Sequence, residues 1–150
     1  MNITTLIYDL NGVVINTDKT ILKNPELVRQ QSPFSLIKPT VDFIASHSGS
    51  KKQYILSNFS KAEEFAFLPH YHPELMVHFD GVVVSAHVGL KKPDPAIYLH
   101  LLEKYNVRPE QALYFDDEIT NINTAQQLGI NAIFVYPTID ILAEAEKYLK

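Results

Sequence analysis

The sequence predicts an α/β fold, a parallel sheet with helices on both faces. Two observations carry this. Five short β-rich runs alternate with segments of helical periodicity along the 150 residues. The runs are also apolar almost throughout rather than alternating in polarity, as strands are when both sheet faces are buried.

The first strand runs from Ile3 to Tyr8 and delivers Asp9, after which the chain turns at Gly12. From Asn16 to Lys38 the chain is interrupted by Pro25 and Pro33, and Leu22, Leu27 and Val28 offer only a short helix. This stretch reads as a hairpin-like flap with a small helical excursion. Pro39-Thr40 opens a helix through Val41, Phe43, Ile44 and Ala45 that stops at Ser48-Gly49. The second strand, Gln53 to Leu56, leads into Ser57-Asn58, and Lys61 to Phe79 reads as one or two short helices. The third strand, Gly81 to Ser85, precedes Lys91-Lys92-Pro93-Asp94-Pro95. There Asp94 caps a helix with Pro95 in its first turn, and Ile97, Leu101, Leu102 and Tyr105 share a face until about Asn106. The fourth strand, Ala112 to Phe115, ends in Asp116-Asp117, and Ile119, Ile122, Ala125 and Leu128 then recur at helical spacing up to Gly129. After a fifth strand, Asn131 to Val135, a closing helix presents Ile139, Leu142, Ala143 and Leu149, with Glu146 as a polar intrusion.

A length of 150 residues, 46% hydrophobic, fits a single domain over residues 1–150 with an ordinary core. A net charge of −4 without a long basic run argues against a nucleic-acid surface. No apolar stretch approaches the roughly 18 residues of a membrane span, and no basic start precedes an apolar signal core. Cysteine is absent, which excludes disulfides and thiolate metal sites and is natural in a reducing compartment. The expectation is a soluble, cytoplasmic protein without nucleic-acid or membrane partners.

A strand that delivers a carboxylate to its own C-terminal end presents a nucleophile or a metal ligand. Here four strand ends lead into Asp9, Ser57, Lys92 and the pair Asp116-Asp117, in that order. The set suggests phosphoryl chemistry around a divalent cation. With these residues in view, the chain resembles the haloacid dehalogenase superfamily. The most specific segments are Gly89-Leu90-Lys91-Lys92-Pro93-Asp94-Pro95-Ala96-Ile97-Tyr98 and Tyr114-Phe115-Asp116-Asp117-Glu118-Ile119-Thr120-Asn121-Ile122-Asn123-Thr124-Ala125. The likeness covers almost the whole chain and implies a Rossmann-like sheet with the first strand lying between the second and fourth.

Most members of that superfamily are Mg²⁺-dependent phosphatases, and the resemblance assigns roles accordingly. Asp9 would attack phosphorus and form an aspartyl-phosphate. Ser57, Asn58 and Lys92 would hold the phosphoryl group, mainly through the Ser57 hydroxyl, the backbone N–H groups after it and the lysine charge. Lys92 rather than Lys91 is implied because it directly precedes Pro93. Mg²⁺, which prefers six oxygens and keeps some of its waters, would take the Asp9 carboxylate, the Asn11 backbone carbonyl and Asp117. Asp116 would be a direct or water-mediated ligand, and Asn121 would support it. The partner would be a phosphorylated substrate, small or larger.

Two departures from the family pattern matter. Asn11 stands two residues after the nucleophile, where family phosphatases place an aspartate that protonates the leaving oxygen and later activates water. An amide cannot trade protons, and a positioned acid/base is worth about 10²–10⁴ in rate. Asp18 on the flap is a candidate substitute. Dehalogenases would want a bulky aromatic at this position, so a halide reaction is not favoured. Secondly, neither the Asp9–Ser57 nor the Ser57–Lys92 interval is long enough for a full cap domain. The site is then open to a large substrate, or another subunit of a homo-oligomer covers it.

Plainer readings compete. His70, His72 and His78 invite a zinc site, but they fall beside Pro69 and Pro73 without a matching ligand motif and read as a surface loop. Phe34, Phe43, Phe59, Phe65 and Phe67 read as core. Asn121 could simply face solvent. A two-component receiver gathers similar groups, yet in the reverse order. The main alternative to a phosphatase is a catalytically weak relative that binds metal and phosphorylated ligand in a regulatory role.

Overall fold

A computed structural model describes residues 2–150. Its strands are β1 (Thr5–Tyr8), β2 (Ile15–Thr17), β3 (Phe34–Leu36), β4 (Lys52–Ser57), β5 (Gly81–Val84), β6 (Ala112–Asp116) and β7 (Asn131–Phe134). Five of them form a parallel sheet in the order β5-β4-β1-β6-β7. The first strand is central as expected, with Tyr8 opposite Ile55 of β4 and Phe115 of β6. The chain builds outward through β4 and β5 on one side, then crosses back to lay β6 and β7 on the other. Such a reversal opens a crevice at the C-terminal ends of the central strands, and this crevice holds Asp9, Ser57 and Asp116.

The helices are α1 (Lys19–Leu22), α2 (Pro25–Gln30), α3 (Lys38–Ser46), α4 (Ala62–Phe65), α5 (Phe67–Tyr71) and α6 (Pro73–Met76), followed by α7 (Ser85–Val88), α8 (Pro95–Lys104), α9 (Ile119–Gln127) and α10 (Ile141–Leu149). Alternate strand residues point to opposite faces, and the core divides accordingly. Leu6, Tyr8, Ile55 and Phe115 pack with Phe43 and Ile44 of α3 and with Ile141 and Ala145 of α10. Ile7, Tyr54, Leu56 and Tyr114 pack on the other face with Ile97 and Leu101 of α8 and Ile122 and Ala125 of α9. The phenylalanine group is core as expected: Phe34, Phe43 and Phe65 are buried, and Phe59 and Phe67 pack against them. A buried polar side chain also sits near the start of β4. Gln53 is satisfied on both sides, accepting from Tyr8 Oη at 2.7 Å and donating to the Ile44 carbonyl at 2.9 Å, so its burial leaves no orphaned group.

The flap is a two-stranded antiparallel ribbon, with Thr17 of β2 opposite Phe34 of β3 and α1 and α2 inserted between them. Three details differ from expectation. The segment from Lys61 to Phe79 holds three short helices, because Pro69 and Pro73 break its periodicity. Helix α10 begins at Ile141, fixed by the Asp140 carboxylate accepting from Ala143 N at 3.0 Å. It therefore buries Ile141 and Ala145 and leaves Leu142 51% exposed, one position off the expected face. On α9, Ile119 is 54% exposed while Asn121 turns inward at 2%, because the polar partner of Asn121 lies beneath the helix.

Candidate active site

Strands β1, β4 and β6 bring the expected residues to one crevice. Asp9 follows β1 directly, its N–H bonded to the Phe115 carbonyl of the neighbouring strand at 2.9 Å, so the backbone that carries it continues the sheet. Lys92 arrives from the loop before α8 and is 3% exposed. Its Nζ lies 2.9 Å from Asp9 Oδ1, 2.8 Å from Asp116 Oδ2 and 3.0 Å from the Leu56 carbonyl. All three donor positions of the ammonium are thus engaged, two of them by buried carboxylates.

Two side chains hold that loop. Asn58 bonds both main-chain groups of Lys92, donating to its carbonyl at 2.9 Å and accepting from its N–H at 2.8 Å. Thr124 Oγ1 of α9 donates to the Pro93 carbonyl at 2.9 Å. The Asn58 side chain is thus occupied in positioning Lys92, while the residue also lines the pocket above Asp9, where its main chain is free to meet a ligand. Ser57 closes β4 and is buried.

Asp116 is fully buried and its two oxygens are surrounded by donors. Oδ1 accepts from Glu118 N at 2.9 Å. Oδ2 accepts from Lys92, from Asn121 Nδ2 at 3.1 Å and from the Tyr114 hydroxyl. Tyr98 donates to the Asn121 carbonyl at 3.0 Å. Burial, reinforced by Asp116, holds the Tyr114 phenol well above its ordinary pKa, so it stays protonated and donates. Tyr114 escaped the sequence reading, although it lies two residues before Asp116 on one strand and hence on the same face. Asn121 faces Asp116, not solvent, and its amide also reaches Glu118 Oε2 at 3.3 Å.

Asp9, Asp116 and Asp117 each offer an oxygen within 4.8 Å of the others. Among the described residues this is the one group of His, Cys, Asp and Glu with metal-ligand spacing, and the three histidines do not form another. His72 Nε2 instead lies 2.8 Å from Ser32 Oγ, and Tyr71 donates to the Val28 carbonyl at 2.5 Å, which fastens the flap insert to α5. Burial is the largest influence on Asp9. Lys92 opposes it and Asp116 adds to it, and the carboxyl is pushed up from 3.8 to about 7. Asp117 is also raised, first by burial. Crowded carboxylates that resist ionisation are what a bound cation relieves. Gly12, at φ +84°, leaves no room for a Cβ against Asp117 Oδ2, so the turn after Asp9 is moulded around that carboxylate.

The pocket above these groups has a volume of about 180 Å³ and is walled by Asp9, Asn11, Ser57, Phe59, Lys92 and Asp117, with Glu118 and Asn121 at its side. At about 30 Å³ per water, it suits a phosphoryl group with a partly hydrated cation. Asn11 is exposed at its mouth. Asp18, the candidate substitute acid, caps α1: its Oδ1 accepts from Thr20 N at 3.0 Å and Ile21 N at 3.2 Å. Its carboxylate is engaged there and lines the flap hollow, not the pocket above Asp9.

A family model described as haloacid dehalogenase-like hydrolase matches residues 71–135. The chain is 38% identical over 74 residues to bifunctional epoxide hydrolase 2 of Mus musculus, a match spanning 49% of this chain and 13% of that protein. It is 39% identical over 61 residues to phosphorylated carbohydrates phosphatase of Thermotoga maritima, spanning 41% and 28%. The matches thus span well under two thirds of those relatives. Among solved structures, a HAD family enzyme from Bacteroides thetaiotaomicron superposes with a TM-score of 0.79 at 18% identity, over 97% of this chain and 99% of that one. The same enzyme in complex with magnesium and inorganic phosphate gives 0.75 at 19%, over 95% and 99%. No described helix is long and apolar enough to cross a membrane.

Proposed function

We propose, for a chain that belongs to the haloacid dehalogenase-like hydrolases, that it is a Mg²⁺-dependent phosphomonoester hydrolase working through Asp9. The observation that carries this reading is the Lys92 ammonium held between Asp9 and Asp116, with Asp117 completing a set of three carboxylates. Relatives described as phosphorylated carbohydrates phosphatase and glyceraldehyde 3-phosphate phosphatase support it.

Asp9 and Asp117 would hold the cation together with the Asn11 carbonyl. Asp116, its oxygens already taken by four donors, is better suited to orient Lys92 and a ligating water than to bind directly. A bound Mg²⁺ would neutralise phosphate oxygens and keep Asp9 ionised. Lys92, the Ser57 hydroxyl and the backbone N–H groups following it would orient the phosphoryl group in line with Asp9. An Asp9 oxygen bonds to phosphorus as the ester P–O bond breaks, and the departing oxygen takes a proton from water. Water then cleaves the aspartyl-phosphate, releasing phosphate and restoring Asp9.

Asn11 can hydrogen-bond the leaving oxygen but not protonate it, so the reaction favours good leaving groups. A second reading, a weak or inactive relative that binds metal and phosphorylated ligand, rests on Asn11 together with the occupied carboxylate of Asp18. Steady-state assay with p-nitrophenyl phosphate and acetyl phosphate, with and without Mg²⁺, separates the two. Mg²⁺-dependent turnover lost in Asp9→Asn supports the enzyme, and its absence supports the binder.

A further inference from the structure

The catalytic pocket accommodates little beyond a phosphoryl group, so the remainder of a substrate must lie outside it. A second hollow of about 290 Å³ shares Asp117 with that pocket. Its wall is mainly apolar, formed by Tyr136, Ile139 and Ile141 after β7 and by Pro39 at the start of α3. It continues into a third hollow of about 670 Å³ between α3 and α10, with which it shares Pro39, Ile139 and Ile141. Together they form a trough leading away from the phosphoryl site. Tyr136 is 46% exposed and Leu142, on the far wall, 51%. Neither is needed to complete the core, and large exposed apolar groups concentrated along one groove mark a binding surface. A separate hollow of about 620 Å³ at the flap is lined largely by Asn16, Thr17, Asp18, Lys19 and Ser35, and it shares no wall residue with the catalytic pocket.

Resting on the phosphatase reading above, we propose that this trough receives the alcohol portion of the substrate, which is a phosphomonoester of an extended apolar alcohol rather than of a sugar. Asp117 and its cation hold the anionic head at one end, and the aliphatic walls remove the chain from water. Polar side chains on the wall of the third hollow are engaged within the protein, Asp42 with Lys38, Ser46 with the Phe43 carbonyl and Asp140 with Ala143 N, which suits an alcohol that carries no polar groups to satisfy.

The test uses straight-chain alkylphosphonates from ethyl to octyl, whose C–P bond is not hydrolysed, titrated calorimetrically into the full chain with Mg²⁺ at concentrations below micelle formation. Affinity should rise by up to about 4-fold per buried methylene, and octylphosphonate should exceed the non-hydrolysable phosphonate analogue of glucose 6-phosphate. Leu142→Lys, at an exposed position, should cut the advantage of octyl over butyl at least 10-fold while leaving ethylphosphonate unchanged. Equal affinity for ethyl and octyl, a chain-length gain untouched by Leu142→Lys, tighter binding of the sugar phosphonate, or no binding by any alkylphosphonate would each overturn the proposal. Loss of the phosphatase reading is seen separately, as absent turnover of p-nitrophenyl phosphate while the phosphonate series still reports on the trough.

Discussion

Gly12 and Asp117 are packed so closely that any side chain on the glycine would overlap the Asp117 carboxylate. The φ of +84° at Gly12 adds a second constraint, since an L-residue there costs about 1–2 kcal/mol. Gly12→Ala should lower stability by at least that much and, by displacing Asp117, remove most of the stabilisation by Mg²⁺. Thermal melts with and without excess Mg²⁺ check both effects, since a ligand of the folded state raises the melting temperature. An undiminished Mg²⁺ shift in the variant would show that Asp117 is not a ligand.

Mg²⁺ should stabilise the parent protein, and more at pH 8 than at pH 6. The sign follows from Asp9, whose pKa rises from 3.8 to about 7 on folding. Between those values the folded state holds a proton that the unfolded state has lost, so the Asp9 contribution to stability is present below the lower value and lost as pH rises through the higher. A cation competes with that proton and gains most once it has left. Asp117→Ala should abolish most of the effect. A melting temperature insensitive to Mg²⁺ at both pH values would refute the metal site.

Asp9→Asn should fold normally and have no phosphatase activity, because the amide is nearly isosteric but cannot form the acyl-phosphate. Beryllium fluoride, a mimic of the phosphorylated carboxylate, should bind the parent and not the variant. Equal turnover by both proteins rules out the covalent route.

Lys92→Met removes the cation between two buried carboxylates, Asp9 and Asp116. Breaking a buried ion pair from one side costs about 3–5 kcal/mol, so urea unfolding should register a loss of that order. Protonation of Asp9, whose carboxyl is already pushed up to about 7, relieves the repulsion, so the loss should be smaller at pH 5 than at pH 8. The same loss at both pH values would mean that the carboxylates do not depend on Lys92.

Asn11→Asp should raise kcat/KM for an alkyl phosphate more than for an aryl phosphate, since only the poorer leaving group needs a proton. The gain could reach the order of 10². Asp18 is engaged in capping α1, which leaves it poorly placed to have made the substitution redundant. An unchanged alkyl-to-aryl ratio in an active enzyme would show that position 11 does not limit the chemistry.

Much of this protein was legible in its sequence because local rules suffice for it. Uniformly apolar runs specify buried parallel strands, Pro95 and Gly129 bound the helices they flank, and a carboxylate after the last residue of a strand must emerge at that edge of the sheet. Asp9, Ser57 and Asp116 were therefore recognisable as neighbours before any contact was known. Tertiary structure decided what depends on partners distant in sequence. Asn58 clasps the backbone of Lys92 across 34 residues, and Lys92 reaches Asp9 across 83. Periodicity likewise cannot tell which of two adjacent helical faces meets the sheet. Asp140 set that choice for α10 by fixing its first turn, and Asp116 set it for α9 by drawing Asn121 inward past the more apolar Ile119. The apolar trough beside Asp117 belongs to the same class, because its walls come from α3, the segment after β7 and α10. Side chains from separated elements create a cavity only once packing has brought those elements together.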